Sequence, residues 1–469
     1  MEKQSVNVLH LGKTPLTTIL KLAWPTIVEQ MIFIVLNFSD TAMVGALGAA
    51  STAAVGITST SIWLVESIIS AVSVGLSIQL AQAIGAEEIS QAKKVVGQSL
   101  LTSLVLGAVL SGGFFALHWH LPHWLGAEAD VLPLAQAYLR VVSFSLFFNM
   151  FSTVFSSLLR CMGDTQTPLR YNFLAIILNI IFNFLLIFPT RTMHVLGLEI
   201  PMIGAGLGVV GAALGTVLSI GVSGLLLFIA LCDKRRAIHL TFEKDNLRPN
   251  TRILGNMVRL GVPVALEQFI STSGQVASTR IVSTLGTVAV AANTLAVNAE
   301  SLSYMPAYGV SVATTTLVGQ SIGAGKKDSA MNFGKVANRL GFTAMIFVGV
   351  LLFVLSEFLI SLFTRDKAVI ELGAQMLRIV AVAQPLNASC SILSGALRGA
   401  ADAKTPFFIS VFGMWALRVP LALLFVFVFH WGLAGYWFAM IIDNMTKGAL
   451  SIYFFRRGKW AENNALSAE

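Results

Sequence analysis

The chain has 469 residues, of which 55% are hydrophobic and 12% charged, with a formal net charge of +8. Soluble globular chains are about a quarter charged, so a water-exposed fold of this size lacks the polar side chains to cover itself and the apolar surplus must face lipid. The Lys and Arg residues sit in short loops between apolar runs, which excludes a nucleic-acid surface, and Cys161, Cys232 and Cys390 are too sparse for a disulfide framework or a metal cluster.

The N-terminal stretch MEKQSVNVLHLGKTPLTT lacks the apolar core and cleavage site of a signal peptide, so the first membrane helix is expected to act as an uncleaved targeting signal. A spanning helix needs about 20 mostly apolar residues. Twelve runs qualify, spans one to twelve: 17–44, 53–83, 95–118, 131–160, 168–189, 204–231, 254–284, 290–321, 331–363, 369–397, 405–429 and 432–455. Of the 31 Lys and Arg residues, 23 fall on the side shared by the two ends and the even-numbered loops. Arg191, Arg365 and Lys367 fall on the other, and Arg140, Arg280, Arg378, Arg418 and Lys447 lie within spans. This imbalance predicts a multi-pass protein of the inner (plasma) membrane with both termini in the cytoplasm.

The chain repeats itself at one constant, ungapped offset, the distance from Leu22 to Leu260. At that offset Leu22, Pro25, Glu29 and Gln30 return as Leu260, Pro263, Glu267 and Gln268. Gln82, Ile84, Gly85 and Ala86 return as Gln320, Ile322, Gly323 and Ala324, and Arg160, Asp164, Thr167 and Pro168 as Arg398, Asp402, Thr405 and Pro406. The period holds six spans, an even number, so the halves are parallel repeats. The expected fold is an all-α membrane protein of twelve transmembrane helices in two pseudo-symmetric six-helix lobes. These are residues 1–231 and 254–469, joined by a cytoplasmic linker at 232–253. Two such lobes around a central cleft suit alternating access.

Several ordered motifs carry a family resemblance. WPTIVEQ and NFSDTAMVG in span one, QAIGAEEISQAKK after span two, LRCMGDTQTP after span four and GVVGAALGT in span six resemble the MATE (multidrug and toxic compound extrusion) family. So do GVPVALEQF, AESLSYMPAYGVSVATTTLVGQSIGAGKKDSA and SGALRGAADAKTP in the second half. The resemblance implies a cation-coupled antiporter, driven by inward H⁺ or Na⁺, that exports amphipathic and cationic drugs and toxic organic compounds. Its partners would be those small compounds and membrane lipids, with no nucleic acid, no cofactor beyond the coupling ion, and a monomeric state. The alternative within the same broad superfamily is a lipid-linked precursor flippase, which would need a more basic cleft. An intramembrane enzyme is disfavoured by the absence of HExxH, Walker and Gly-x-Ser-x-Gly motifs. His118, His120 and His123, beside Trp119 and Trp124, read as an interfacial cluster.

An ionised carboxylate inside a bilayer is expensive, so Glu29, Asp40, Glu66, Glu267, Glu300 and Asp443 each require a reason. The resemblance places the cation-coupling acid at Asp40 and adds Tyr138, Asn179, Asn183 and Thr216. Asn179 and Asn183 share one face of span five at i, i+4, and their oxygens suit Na⁺ or a protonated carboxyl. Asn183 stands where many relatives carry a second aspartate, which favours H⁺ while leaving Na⁺ workable. Glu29 lies eleven residues before Asp40, on nearly the same helix face and about 16 Å away, and Glu267 is its repeat mate. Glu300, Tyr304 and Tyr308 recur at i, i+4, i+8 and suit an organic cation through charge and cation–π attraction. Phe147, Phe148, Asn149 and Met150 are cleft or packing candidates. The repeated Arg160/Asp164 and Arg398/Asp402 pairs suggest local ion pairs that shape loops. Glu66 and Asp443 receive no role.

Overall fold

The computed structural model describes residues 7–195 and 198–462, of which 10, 191–195, 198–202 and 244 are described by backbone alone. Lys3 of the N-terminal charge set lies outside the described residues. Each of the twelve expected runs is helical over most of its length. Spans one to seven are Pro15–Gly45, Ala49–Gly85, Ile89–Leu117, Leu132–Cys161, Gln166–Ile187, Gly208–Cys232 and Thr251–Ser283. Among the described residues, nine helices are long and apolar enough to cross a bilayer, or ten when one bent pair is joined.

The second half departs from plain helices where proline or local winding intervenes. Span eight is two helices, Thr287–Ser303 and Met305–Gly323, because Pro306 cannot donate a backbone hydrogen bond back into the preceding turn. Span nine is Lys327–Val354 followed by Ser356–Ser361. Span ten is Lys367–Ala381 and Gln384–Gly399, bent by 57° just before Pro385. Span eleven runs from Lys404 to Val428 through π-wound turns at Phe412–Arg418 and Leu424–Val428. Span twelve is Gly432–Arg457. Residues 204 and 205 belong not to span six but to an antiparallel hairpin, β1 (Pro189–Val195) and β2 (Leu198–Ala205), an addition to the all-α expectation.

The chain forms two compact units. Among the described residues, one comprises 28–80, 89–195 and 198–257, and the other 7–27, 81–88 and 258–462. In the second unit Ile19, Leu22 and Ala23 of span one pack with Ala307, Val310, Leu317, Met345 and Ile392. In the first, the linker docks on span three. Gln98 donates to the carbonyls of Asn246 (3.2 Å) and Arg248 (2.7 Å) and accepts from the Asn250 amide (3.0 Å).

The repeat is visible in the backbone itself. Left-handed turns occur at Gly48 (φ 108) and Gly286 (φ 94), at Glu87 (φ 58) and Gly325 (φ 69), and at Gly163 (φ 86) and Ala401 (φ 62), and each pair occupies equivalent positions of the two repeats. A close crossing is duplicated as well. A Cβ on Gly85 would overlap the Gln320 carbonyl, and one on Gly323 would overlap the Gln82 carbonyl, its repeat counterpart. Because the obstacle is backbone, it cannot swing aside. Gly85→Ala and Gly323→Ala should each destabilise the protein by about 1–3 kcal/mol, the usual range for overpacking. Thermal unfolding in detergent tests this, and an unchanged midpoint for either variant contradicts the crossing.

Candidate functional site

Asp40 sits half-buried near the far end of span one, where its polar neighbours Asn37 and Thr41 donate to the backbone carbonyls of Phe33 and Asn37. Its partner comes from span five. Asn183 Nδ2 donates to Asp40 Oδ1 at 2.7 Å and to Asn179 Oδ1 at 2.9 Å, and Asn179 Nδ2 donates to Ser219 Oγ at 3.3 Å. Asn179 and Asn183 are buried, and the i, i+4 spacing on one helical face is what joins them. Gly215 makes room for this chain, since a Cβ there would overlap Asn183 Oδ1. That oxygen is buried and has no hydrogen-bond partner among the described residues. Tyr138 is buried beside Leu139, Val142, Val209 and Ala213, within reach of the charges of Asp40 and Glu66. Thr216 turns its hydroxyl to the Ala212 carbonyl of its own helix (3.1 Å) rather than to Asp40.

Glu29 and Glu267 are each held by an arginine from another helix. Arg160 Nη2 lies 2.7 Å from both carboxylate oxygens of Glu29, and Asn172 Nδ2 donates to Oε1 at 2.6 Å. In the second half Arg398 Nη2 donates to Glu267 Oε2 at 2.7 Å, and Ser410 Oγ donates to Oε1 at 2.8 Å. The two clasps are repeat mates at every position. The arginines thus pair across helices, not with Asp164 and Asp402. Asp164 caps span five through the Thr167 amide (2.9 Å) and hydroxyl (2.6 Å) and pairs with Arg236 of the linker at 2.7 Å. Asp402 caps span eleven through Thr405 in the same way, at 3.1 and 2.7 Å.

Glu300, Tyr304 and Tyr308 do not form one continuous face, because the helix breaks at Tyr304. Glu300 is buried and accepts from Gln384 Nε2 at 3.3 Å, whereas both tyrosines are exposed. Glu66 meets Asn149 Nδ2 at 3.5 Å, and Asn149 Oδ1 accepts from Thr153 at 3.1 Å. Sequence reasoning missed the partners of Asp443. Its Oδ2 holds both Arg418 Nε (2.7 Å) and Lys447 Nζ (2.9 Å). The i, i+4 spacing of Asp443 and Lys447 was the available signal for one of them. His118 turns to the Phe115 carbonyl and His120 stacks on Trp124, so the histidines are tied to separate neighbours.

The duplicated helical bundle with a carboxylate network in its first unit defines a polytopic membrane protein of the transporter class. The MatE family model matches residues 25–185 and 263–424, two segments that begin at the repeat counterparts Pro25 and Pro263. The chain belongs to this family. It is 31% identical to a probable multidrug resistance protein NorM of Thermotoga maritima over 453 residues, covering 96% of this chain and 94% of that one. It is 27% identical to the multidrug resistance protein NorM of Vibrio vulnificus YJ016, covering 94% and 95%. Among solved structures it matches a MATE protein in the straight conformation with a TM-score of 0.90, 25% identity and 99% and 100% coverage. It also matches an outward-facing multidrug resistance MATE family transporter of the MOP superfamily, with a TM-score of 0.87, 24% identity and the same coverage.

Two predictions arise from the ion pairs. Removing one partner of a buried pair strands the other, so Arg160→Met should cost about 3–5 kcal/mol, while Glu29→Gln with Arg160→Met should cost clearly less. Unfolding of the single and double variants checks this, and an additive cycle excludes the clasp. Asp164 titrates outside the spans. Burial pushes its carboxyl up, but the Thr167 hydrogen bonds and Arg236 outweigh burial and hold it below the ordinary carboxylate value. Its contribution to stability should be complete above about pH 4 and be lost as pH falls through the depressed value. Asp164→Asn should therefore flatten the acid limb of the stability profile, and a superimposable limb rules the linkage out.

Proposed function

We propose that this protein exports amphipathic and cationic organic compounds in exchange for an inward-moving cation, acting as a monomer in the inner membrane with both termini cytoplasmic. The observation that carries the reading is Asp40, an in-span carboxylate whose neighbour is an amide rather than a counter-cation. Such a group is costly while ionised and is relieved by taking up a cation. The names of the relatives, multidrug resistance proteins, supply the cargo class.

The donor pattern favours H⁺ as the coupling ion. Asn183 commits both amide hydrogens, one to Asp40 and one to Asn179. A Na⁺ site would need the amide rotated to present Oδ1 to the ion. Export by alternating access then requires that the loaded and unloaded forms of Asp40 favour different conformers, since a ligand shifts an equilibrium only by its differential affinity. The flippase alternative needs free positive charge inside the lobes. Three of the five in-span basic residues are engaged in ion pairs, Arg378 with Glu357, and Arg418 and Lys447 sharing Asp443. That supports the efflux reading.

In proteoliposomes, a ΔpH should drive export of a cationic dye and Asp40→Asn should abolish it while leaving dye binding within about twofold. A Na⁺ gradient applied alone distinguishes the ions. Undiminished driven export by the variant removes Asp40 from the mechanism.

A further inference from the structure

Glu66 is an in-span acid that neither the Asp40 network nor the arginine clasps use. It lies at the middle of span two, Ala49–Gly85. Of the six in-span acids, Glu29, Glu300 and Asp443 are buried, Asp40 and Glu267 are half-buried, and Glu66 is exposed. Among the described residues no Lys, Arg or His pairs with it.

The face that carries Glu66 is polar. At about 100° per residue, Thr52, Ser59, Trp63, Glu66 and Ser70 fall within an arc of roughly 60°. Leu64 and Ile68 lie roughly opposite and are exposed as well. A carboxylate at mid-membrane depth is expensive against acyl chains and is kept where it meets water or protein. Lipid therefore takes the face of Leu64 and Ile68, and water the face of Glu66.

The neighbours of Glu66 select one kind of cation. Asn149 Nδ2 donates to Glu66 Oε1 at 3.5 Å, while Asn149 Oδ1 accepts from Thr153 Oγ1 at 3.1 Å. The amide thus turns a donor towards the carboxylate and keeps its oxygen elsewhere. A hard metal cation needs several oxygen ligands, and Asn149 adds none to those of Glu66. An organic cation needs less: a negative charge, and an aromatic face for its apolar surface. Trp63 offers that face. It stands at i, i+3 from Glu66, where side chains on a helix are neighbours, and it is 67% exposed. Phe147 and Phe148 are already engaged, Phe147 against Gly107 of span three and Phe148 against Gly221 of span six.

We propose that Glu66, with Trp63 beside it, is the docking point for the positive charge of the exported compound, while Asp40 serves the coupling ion. This deepens the efflux reading and rests on it. An unpaired carboxylate on a water-lined surface between low-dielectric walls concentrates cations at that surface, and the Asn149 amide leaves its charge uncompensated. Binding there makes and breaks no covalent bond. At the repeat offset Glu66 becomes Tyr304, so the second half has no acid at the equivalent position.

The test is equilibrium binding to the full-length protein in detergent at pH 8, with no gradient, using ethidium and its uncharged parent ring system, phenanthridine. Glu66→Gln keeps an acceptor for Asn149 and removes only the charge. It should weaken ethidium by about tenfold or more and leave phenanthridine within about twofold. Trp63→Ala should weaken ethidium by about 2- to 30-fold, and Trp63→Phe should recover most of that. Asn149→Leu, which cuts the tie and spares the charge, should leave ethidium within about twofold. A merely structural Glu66 would give the reverse, with Asn149→Leu as harmful as Glu66→Gln and both compounds weakened alike. Should Glu66→Gln fail to fold, Ser70→Lys supplies a counter-charge one turn away on the same exposed face and should reproduce the loss of ethidium alone. Ethidium affinity unmoved by Glu66→Gln or Ser70→Lys, an equal loss of phenanthridine, or no ethidium binding by wild type overturns the docking point. Wild type that binds ethidium through Glu66 yet exports none under a ΔpH or a Na⁺ gradient overturns the exchange reading instead.

Discussion

An acid buried within a bilayer has to be met by a donor, and the way each one is met organises this molecule. Glu29 and Glu267 are met by arginines, Asp443 by an arginine and a lysine, and Asp40 and Glu300 by carboxamides. Full counter-charge makes a group a fixture, because neither partner can leave cheaply. An amide satisfies one lone pair and leaves the charge itself uncompensated, which suits a group that changes protonation. The same residue type is thus fully or only partly compensated according to one neighbour.

The two halves share their clasps and differ in the acids that a carboxamide meets. At the repeat offset Asp40 corresponds to Ser278 and Asn183 to Leu421, so the Asp40 network has no counterpart in the second half. Glu300 and Asp443 take their partners instead from the bent span ten and the π-wound span eleven, the elements least like their first-half equivalents. Duplication preserved what holds each bundle together and left the chemistry free to diverge.

Much of the architecture was legible because lipid imposes a simple rule on composition: long apolar runs, basic loops on one side, and a constant repeat offset. The breaks at Tyr304 and before Gln384 were less so. A proline marks where bending is permitted, yet Pro25 and Pro263 lie inside continuous helices. The hairpin at 189–205 was hidden by the apolar character of its residues. At the site, Asp40 and the Asn179/Asn183 pair were accessible from family likeness and helical spacing. The Arg160 and Arg398 pairings were not, since an adjacent aspartate offers a plausible local partner and only the fold shows that it is occupied in capping the next helix. The placement of Arg418 against Asp443 lies at the end of a π-wound turn, which no 3.6-residue periodicity reveals.

The span one to span five contacts have a mechanical implication. Glu29 meets Asn172 and Asp40 meets Asn183, so two rungs join these helices, each linking residues 143 apart in the chain. Sliding one rod along the other by a single turn would sever both rungs at once and strand two acids. Shear between this pair is therefore opposed by two charge-assisted hydrogen bonds, each worth about 1.5–3 kcal/mol. Before Glu29, Pro25 lacks the backbone N–H that would close one strut of the helical ladder, which makes that segment the easiest part of span one to bend.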